Sequence, residues 1–150
     1  VLYFRASAAA LSEWRGEGGA ASRLFARWVR DYAHDTDVKE RFKLLCKCEN
    51  IKELGLGGFI EKYNGKPALC TKSASIFVGD DYVEIDVNLF RYADVTKKAL
   101  QHVLPRIGEM DLHAAVTLEG RDDDELPEQV LLTARICRFD LLERAKELEL

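Results

Sequence analysis

Glu84 and Asp86 stand two residues apart in the alternating run from Tyr82 to Leu89. Their carboxylates therefore project from one side of a strand and approach the separation used by paired acids in hydrolases. Under a cavity, one of them would be desolvated and raised in pKa, which is how an acid/base pair is made. Under solvent, both are ordinary surface charges. The three histidines, His34, His102 and His113, are far apart in the chain, but His113 lies in the strand-like Leu112-His113-Ala114. It would face Glu84 or Asp86 if their strands were neighbours. Arg41 and Arg135 also sit in strand-like runs, and an inward strand arginine requires a carboxylate or a phosphate. Asp86 would serve in a structural ion pair, the favoured reading, and a lipid headgroup would serve in a binding site. Arg41, Glu84, Asp86, His113 and Arg135 are thus the candidate ligand-contacting or buried polar positions. No nucleophile accompanies them, so none is assigned a catalytic role.

Other chemistries lack their residues. There is no G-x-S-x-G elbow, Walker loop or H-E-x-x-H pair. Gly55-Leu56-Gly57-Gly58 imitates a phosphate loop but reads as the lead-in to a strand over Phe59 to Tyr63, without the helix N-terminus that anion binding needs. Cys46, Cys48, Cys70 and Cys137 form no C-x-x-C knuckles, so zinc is not expected. They are expected to be buried thiols in a reducing compartment, cytoplasmic or organellar, with Cys46 and Cys48 on one face of a strand. The acidic run Asp122 to Glu125 reads as a solvated loop without the interleaved glycine of a calcium site. No cofactor or metal is implied.

The elements that must position these groups follow from periodicity. Leu24, Phe25, Trp28, Val29 and Tyr32 fall at helical spacing between Ser22 and Ala33, with Arg23, Arg27 and Arg30 opposite. The apolar stripe suits core packing; the arginines offer a basic, partner-facing alternative. Phe42, Leu44, Cys46 and Cys48 define a first strand. Asn50 is placed to cap a turn that Gly55 ends, and Asn64-Gly65 signals a hairpin whose second arm runs from Lys66 to Lys72. Val83, Ile85, Val87 and Leu89 form the apolar side of the next strand. Asp94 should cap a helix that Pro105 ends or kinks. Strands over Leu112 to Leu118 and Val130 to Cys137 follow, Pro127 standing ahead of the second, and a short helix over Leu141 to Leu148 closes the chain. The order predicts an α+β fold, a mainly antiparallel twisted sheet with helices packed on one face.

The blocks Arg41-Phe42-Lys43-Leu44-Leu45, Tyr63-Asn64-Gly65-Lys66-Pro67-Ala68-Leu69, Tyr82 to Leu89, Asp111 to Ala114 and Leu126 to Arg135 keep a recognisable order and spacing. Over Leu24 to Asp140 the chain resembles the C-terminal domain of plant ENHANCED DISEASE RESISTANCE 2 proteins. It departs from that pattern at Cys70-Thr71, where the family tends to Leu-Gly, at Asn88 for a second Asp, and at Thr133 for Gly. The family's upstream F-x-V-R-G portion is not visible in residues 1 to 23. Plant members carry the domain behind pleckstrin-homology and START lipid-binding domains. The resemblance implies a lipid-related context and brings no settled catalytic activity.

At 150 residues and a formal net charge of −4 with both signs interspersed, the chain suits one domain over residues 20 to 150, large enough for its own core. The charge argues against nucleic acid as a partner and against simple adsorption to anionic membranes. No run reaches the roughly twenty apolar residues of a membrane span, which leaves peripheral membrane contact open. Residues 1 to 19, Ala-rich and then Gly-rich, read as a tail or linker. Its apolar start, Val1, Leu2, Tyr3 and Phe4, is expected to lie against this domain or a neighbour. Opening at Val1 rather than methionine is expected of a processed chain or of a piece of a longer one. Three functions are compatible with these features. The first is a non-catalytic module binding a lipid, another apolar ligand or a protein surface. The second is a structural accessory subunit of a large organellar membrane assembly with protein partners. The third and least favoured is a hydrolase-like enzyme using the strand carboxylates.

Overall fold

A computed structural model describes residues 2–139; Val1 and the helix expected over Leu141 to Leu148 lie outside the described residues. In chain order the elements are helices α1 (Ala8–Ser12), α2 (Ala20–Asp31) and α3 (Thr36–Lys39), strand β1 (Phe42–Cys48), helix α4 (Phe59–Tyr63), strands β2 (Pro67–Leu69), β3 (Ala74–Val78) and β4 (Val83–Val87), helix α5 (Asp94–Val103), and strands β5 (Asp111–Leu118) and β6 (Leu132–Cys137). Four strands form an antiparallel sheet in the order β2-β1-β5-β6, and β3 with β4 forms a separate antiparallel ribbon. The α+β class and the antiparallel sheet are as expected.

Register explains where the core sits. Phe42 faces Leu118, Leu44 faces Val116 and Cys48 faces Leu112, and directly opposed residues share a face of the sheet. That side is apolar. Lys43, Lys47, His113 and Arg135 occupy the other. The helices cover the apolar side in two places. At the Phe42 end, Leu24 and Trp28 of α2 are buried with Phe42, Leu118, Val38 and Ile76 of the ribbon. Trp28 is only 1% exposed and its ring lies 6.1 Å from those of Phe25 and Phe42. At the Cys48 end a smaller cluster gathers Cys48, Ile51, Leu56 and Met110, with Ile60 of α4 and Val103 of α5 against it.

Residues 2 to 19 are more structured than their composition suggests. Helix α1 runs into a π-helical turn, Glu13–Glu17. Trp14 on that turn lies 4.6 Å from the Phe25 ring, and the Ser22 hydroxyl donates to Glu13 at 3.0 Å. Gly18 permits this close approach, because a Cβ there would stand 2.5 Å from the Ser22 Cβ.

Three local expectations are corrected. Phe59 to Tyr63 is helix α4, not a hairpin arm, and its Phe59 and Tyr63 rings pack at i and i+4, 4.8 Å apart. The glycine-rich lead-in thus opens a helix after all, through Gly58 at φ +71°, although α4 has only five residues. Asn64-Gly65 does not join two strands of a hairpin. The Asn64 side chain accepts from the Cys48 N–H at 2.7 Å and donates to the Cys48 carbonyl at 2.8 Å, while the Gly65 N–H donates to the Cys46 carbonyl. A carboxamide carries the donor and acceptor of a peptide, so it prolongs the β1 edge and feeds the chain into β2. At the third site, Ala93 rather than Asp94 is the N-cap of α5, and Asp94 stands in its first turn, where a carboxylate complements the helix dipole. Strand β4 stops at Val87 because the Asn88 side chain accepts from the Phe90 N–H and turns the chain.

Candidate functional site

Arg41 precedes β1 and is 3% exposed. Its guanidinium donates to Asp37, one helical turn earlier, at 2.6 and 3.2 Å, and to Glu125. Glu125 also accepts from Arg27 of α2 at 3.1 Å and from the backbone N–H groups of Arg121 and Asp122. Burial opposes ionisation of Glu125, but the backbone donor of Arg121 and the Arg41 guanidinium more than offset it, so its pKa is lowered. Arg121 closes the circuit with Asp37 and Glu119. Arg41 therefore has its carboxylate partner, which is Glu125 with Asp37 and not Asp86. The acidic run holds a buried ion: Asp123–Glu125 is a 3-10 turn with a reciprocal Asp122–Glu125 capping box.

The second candidate arginine is also paired. Arg135 on β6 makes a two-pronged contact with Asp111 on β5, at 2.8 and 2.5 Å, and the Cys137 thiol donates to Asp111 at 3.1 Å. Arg135 and then Cys137 hold the Asp111 carboxyl well below the usual range, and the same bond to Asp111 raises the Cys137 thiol. A thiol held protonated is a poor nucleophile. His113 lies two residues along β5, with Glu49 as its nearest carboxylate at 3.8 Å. Glu84 and Asp86 are exposed on the separate ribbon, opposite Phe77 and Ser75. The five candidate polar residues thus occupy three places, and the His113–Glu84/Asp86 pairing does not form. Among the described residues no group of three or more His, Cys, Asp or Glu is arranged to hold a metal ion.

The candidate partner-facing residues divide similarly. Arg23 donates to the carbonyls of Gly18 and Asp124, Arg27 to Glu125, and Arg30 to Asp31, so each basic residue of α2 has a partner within the domain. Leu2, Tyr3 and Phe4 are exposed ahead of α1.

A different surface has the opposite character. Helices α4 and α5 flank an open cleft of about 310 Å³, lined by Gly57, Phe59, Ile60, Val95, Lys98, Ala99 and His102. Phe59 and Tyr63 are 50% and 51% exposed, and Val95 is exposed beside them. The Lys62 and Lys66 ammonium groups each lie 5.8 Å from the Tyr63 ring centroid. The nearby carboxylates Glu61 and Asp94 are engaged by Lys52 and Lys97, at 3.6 and 3.3 Å. Lys62, Lys66 and Lys98 have no carboxylate partner among the described residues. Beyond this cleft the Tyr92 hydroxyl is pushed up to about 12, first by burial and then by the adjacent Cys70 thiol, 3.9 Å away.

The family model described as Protein ENHANCED DISEASE RESISTANCE 2, C-terminal, matches residues 1–140. The chain belongs to that family. The match takes in residues 1 to 23, where the upstream motif was not legible, and so covers α1 and the π-helical turn. A comparison with curated proteins found no match, and neither did one with solved structures. Two of the family blocks acquire physical roles here: Arg41-Phe42 supplies the buried guanidinium and the Trp28 contact, and Asn64-Gly65 supplies the side-chain extension of β1. The sequence reading missed Glu125, hidden in an acidic run, and Phe59, Tyr63 and Lys98. Aromatics at i and i+4 with lysine between them were the available signal for α4.

Proposed function

We propose that this domain is a non-catalytic binding module working in a lipid- or membrane-associated setting, and that it meets an apolar ligand or protein surface across the α4–α5 face. The observation that carries this reading is the contrast in pairing. Arg41, Arg135 and the α2 arginines are bound to partners inside the domain, whereas Lys62 and Lys66 lie by exposed Tyr63, and Lys98 lines the cleft with exposed Phe59 and Val95, none of the three with a carboxylate partner among the described residues. Exposed aromatics rimmed by unpaired charge are the composition of a recognition surface. The family's lipid-related context fits an apolar contact of this kind.

The test is the native mass of the chain extracted gently from its source, beside a Phe59→Ser/Tyr63→Ser variant produced there. The proposal expects an associated mass, a lipid or a partner, that the variant loses while retaining its circular dichroism. Association unchanged in the variant contradicts it. An accessory subunit of a large organellar membrane assembly is the second reading, favoured by exposed Leu2, Tyr3 and Phe4; there, association would depend on those three residues instead.

A further inference from the structure

We infer that the α4–α5 face docks on an anionic bilayer surface, with the Phe59 and Tyr63 rings at headgroup depth and Lys62, Lys66 and Lys98 against lipid phosphates. The inference rests on the binding-module reading and names its partner. Charge complementarity argues for an anionic surface: Lys52 and Lys97 engage Glu61 and Asp94, which leaves the three remaining lysines of the face without a carboxylate partner among the described residues. Geometry argues for a surface rather than an enclosed ligand. The cleft between α4 and α5 is open, and Lys62 and Lys66 both lie by the Tyr63 ring. Long lysine stems can lie along apolar surface while their ammonium groups reach phosphate, and aromatic side chains favour the same interfacial depth. The net charge of −4 disfavours adsorption of the chain as a whole to an anionic surface, but it bears less on the docking of a single face. The surface field acts within about a Debye length, so only the nearest charges are felt strongly, and acidic residues elsewhere fix which face turns toward the membrane.

The experiment is flotation of the full chain with vesicles of phosphatidylcholine alone and of phosphatidylcholine with about one third phosphatidylserine. Binding to the anionic vesicles, falling with added salt and weak on the neutral ones, is expected. Lys62→Gln/Lys66→Gln/Lys98→Gln should lower the partition by on the order of 100-fold, near fivefold for each lysine. Phe59→Ser/Tyr63→Ser should lower it by roughly tenfold. Both variants change exposed residues, and unchanged circular dichroism verifies their fold. Equal binding to both vesicles, no binding to either, or variants that float like the parent would overturn the inference. If vesicle binding fails while the native association still depends on Phe59 and Tyr63, the module stands with a protein partner and only the bilayer docking falls. If both fail, the binding-module reading falls as well.

Discussion

The two ends of strand β1 use charge in opposite ways. At the Phe42 end, Arg41, Asp37, Glu125, Arg27 and Arg121 form a closed network over the most buried part of the core. At the Cys48 end a smaller cluster is covered by short α4 and by α5, and Lys62 and Lys66 lie by the exposed Tyr63 ring with no carboxylate partner among the described residues. A charge taken out of water must be matched, or the fold bears the desolvation cost. A charge left in water beside apolar surface costs the fold little and remains available for a partner. The first region is therefore read as the source of stability, and the second as the site of recognition.

Loss of the central core aromatic should have the greatest consequence. Trp28→Ala should destabilise the domain by about 4 kcal/mol, the scale of deleting a fully buried aromatic, as measured by urea unfolding. Glu125→Gln should cost about 3 kcal/mol, since it removes one partner of a buried ion pair. A loss under 1 kcal/mol would show that the network is ornamental. The pH dependence carries a sign. The folded pKa of Glu125 is depressed, so its contribution is complete above the unfolded value of about 4.3 and is lost as pH falls through the folded one. As pH falls below about 5 the parent should lose stability more steeply than Glu125→Gln.

Smaller effects sharpen the contrast. Asn64→Ala removes the two bonds that prolong β1 and should cost about 1–2 kcal/mol, with faster amide exchange at Cys48 as the local readout. At the other extreme, Lys62→Gln/Lys66→Gln/Lys98→Gln should change stability by less than about 0.5 kcal/mol, as expected for exposed residues without ion-pair partners. A larger loss would mean that these lysines hold the fold together and are not free for recognition.

Much of this architecture was legible in the sequence. The alternations Phe42 to Cys48 and Val83 to Val87 fixed strands and their faces, because period-two patterning survives any tertiary arrangement. The Leu24–Trp28 stripe placed α2 on the core for the same reason. The arginines were recognised as needing carboxylates, but their partners were not: Glu125 lies 84 positions from Arg41, and only folding brings the two together. Asn64-Gly65 misled because a two-residue signal reports a turn and not which strands meet, and here the Asn64 amide itself serves as a strand peptide. Phe59 to Tyr63 is too short for periodicity to separate helix from strand. The proposed recognition face was hidden for a further reason: a lysine's pairing depends on where every neighbouring carboxylate goes, and this is a property of the packed structure.

The most direct measurement is amine-reactive footprinting of the chain in gently extracted native material and after its isolation, comparing Lys62, Lys66 and Lys98 with exposed Lys39 and Lys72. The first three should be shielded in native material and become reactive on isolation, while Lys39 and Lys72 react alike in both. Equal reactivity of all five in both states would contradict the claim that the α4–α5 face is where this domain meets its partner.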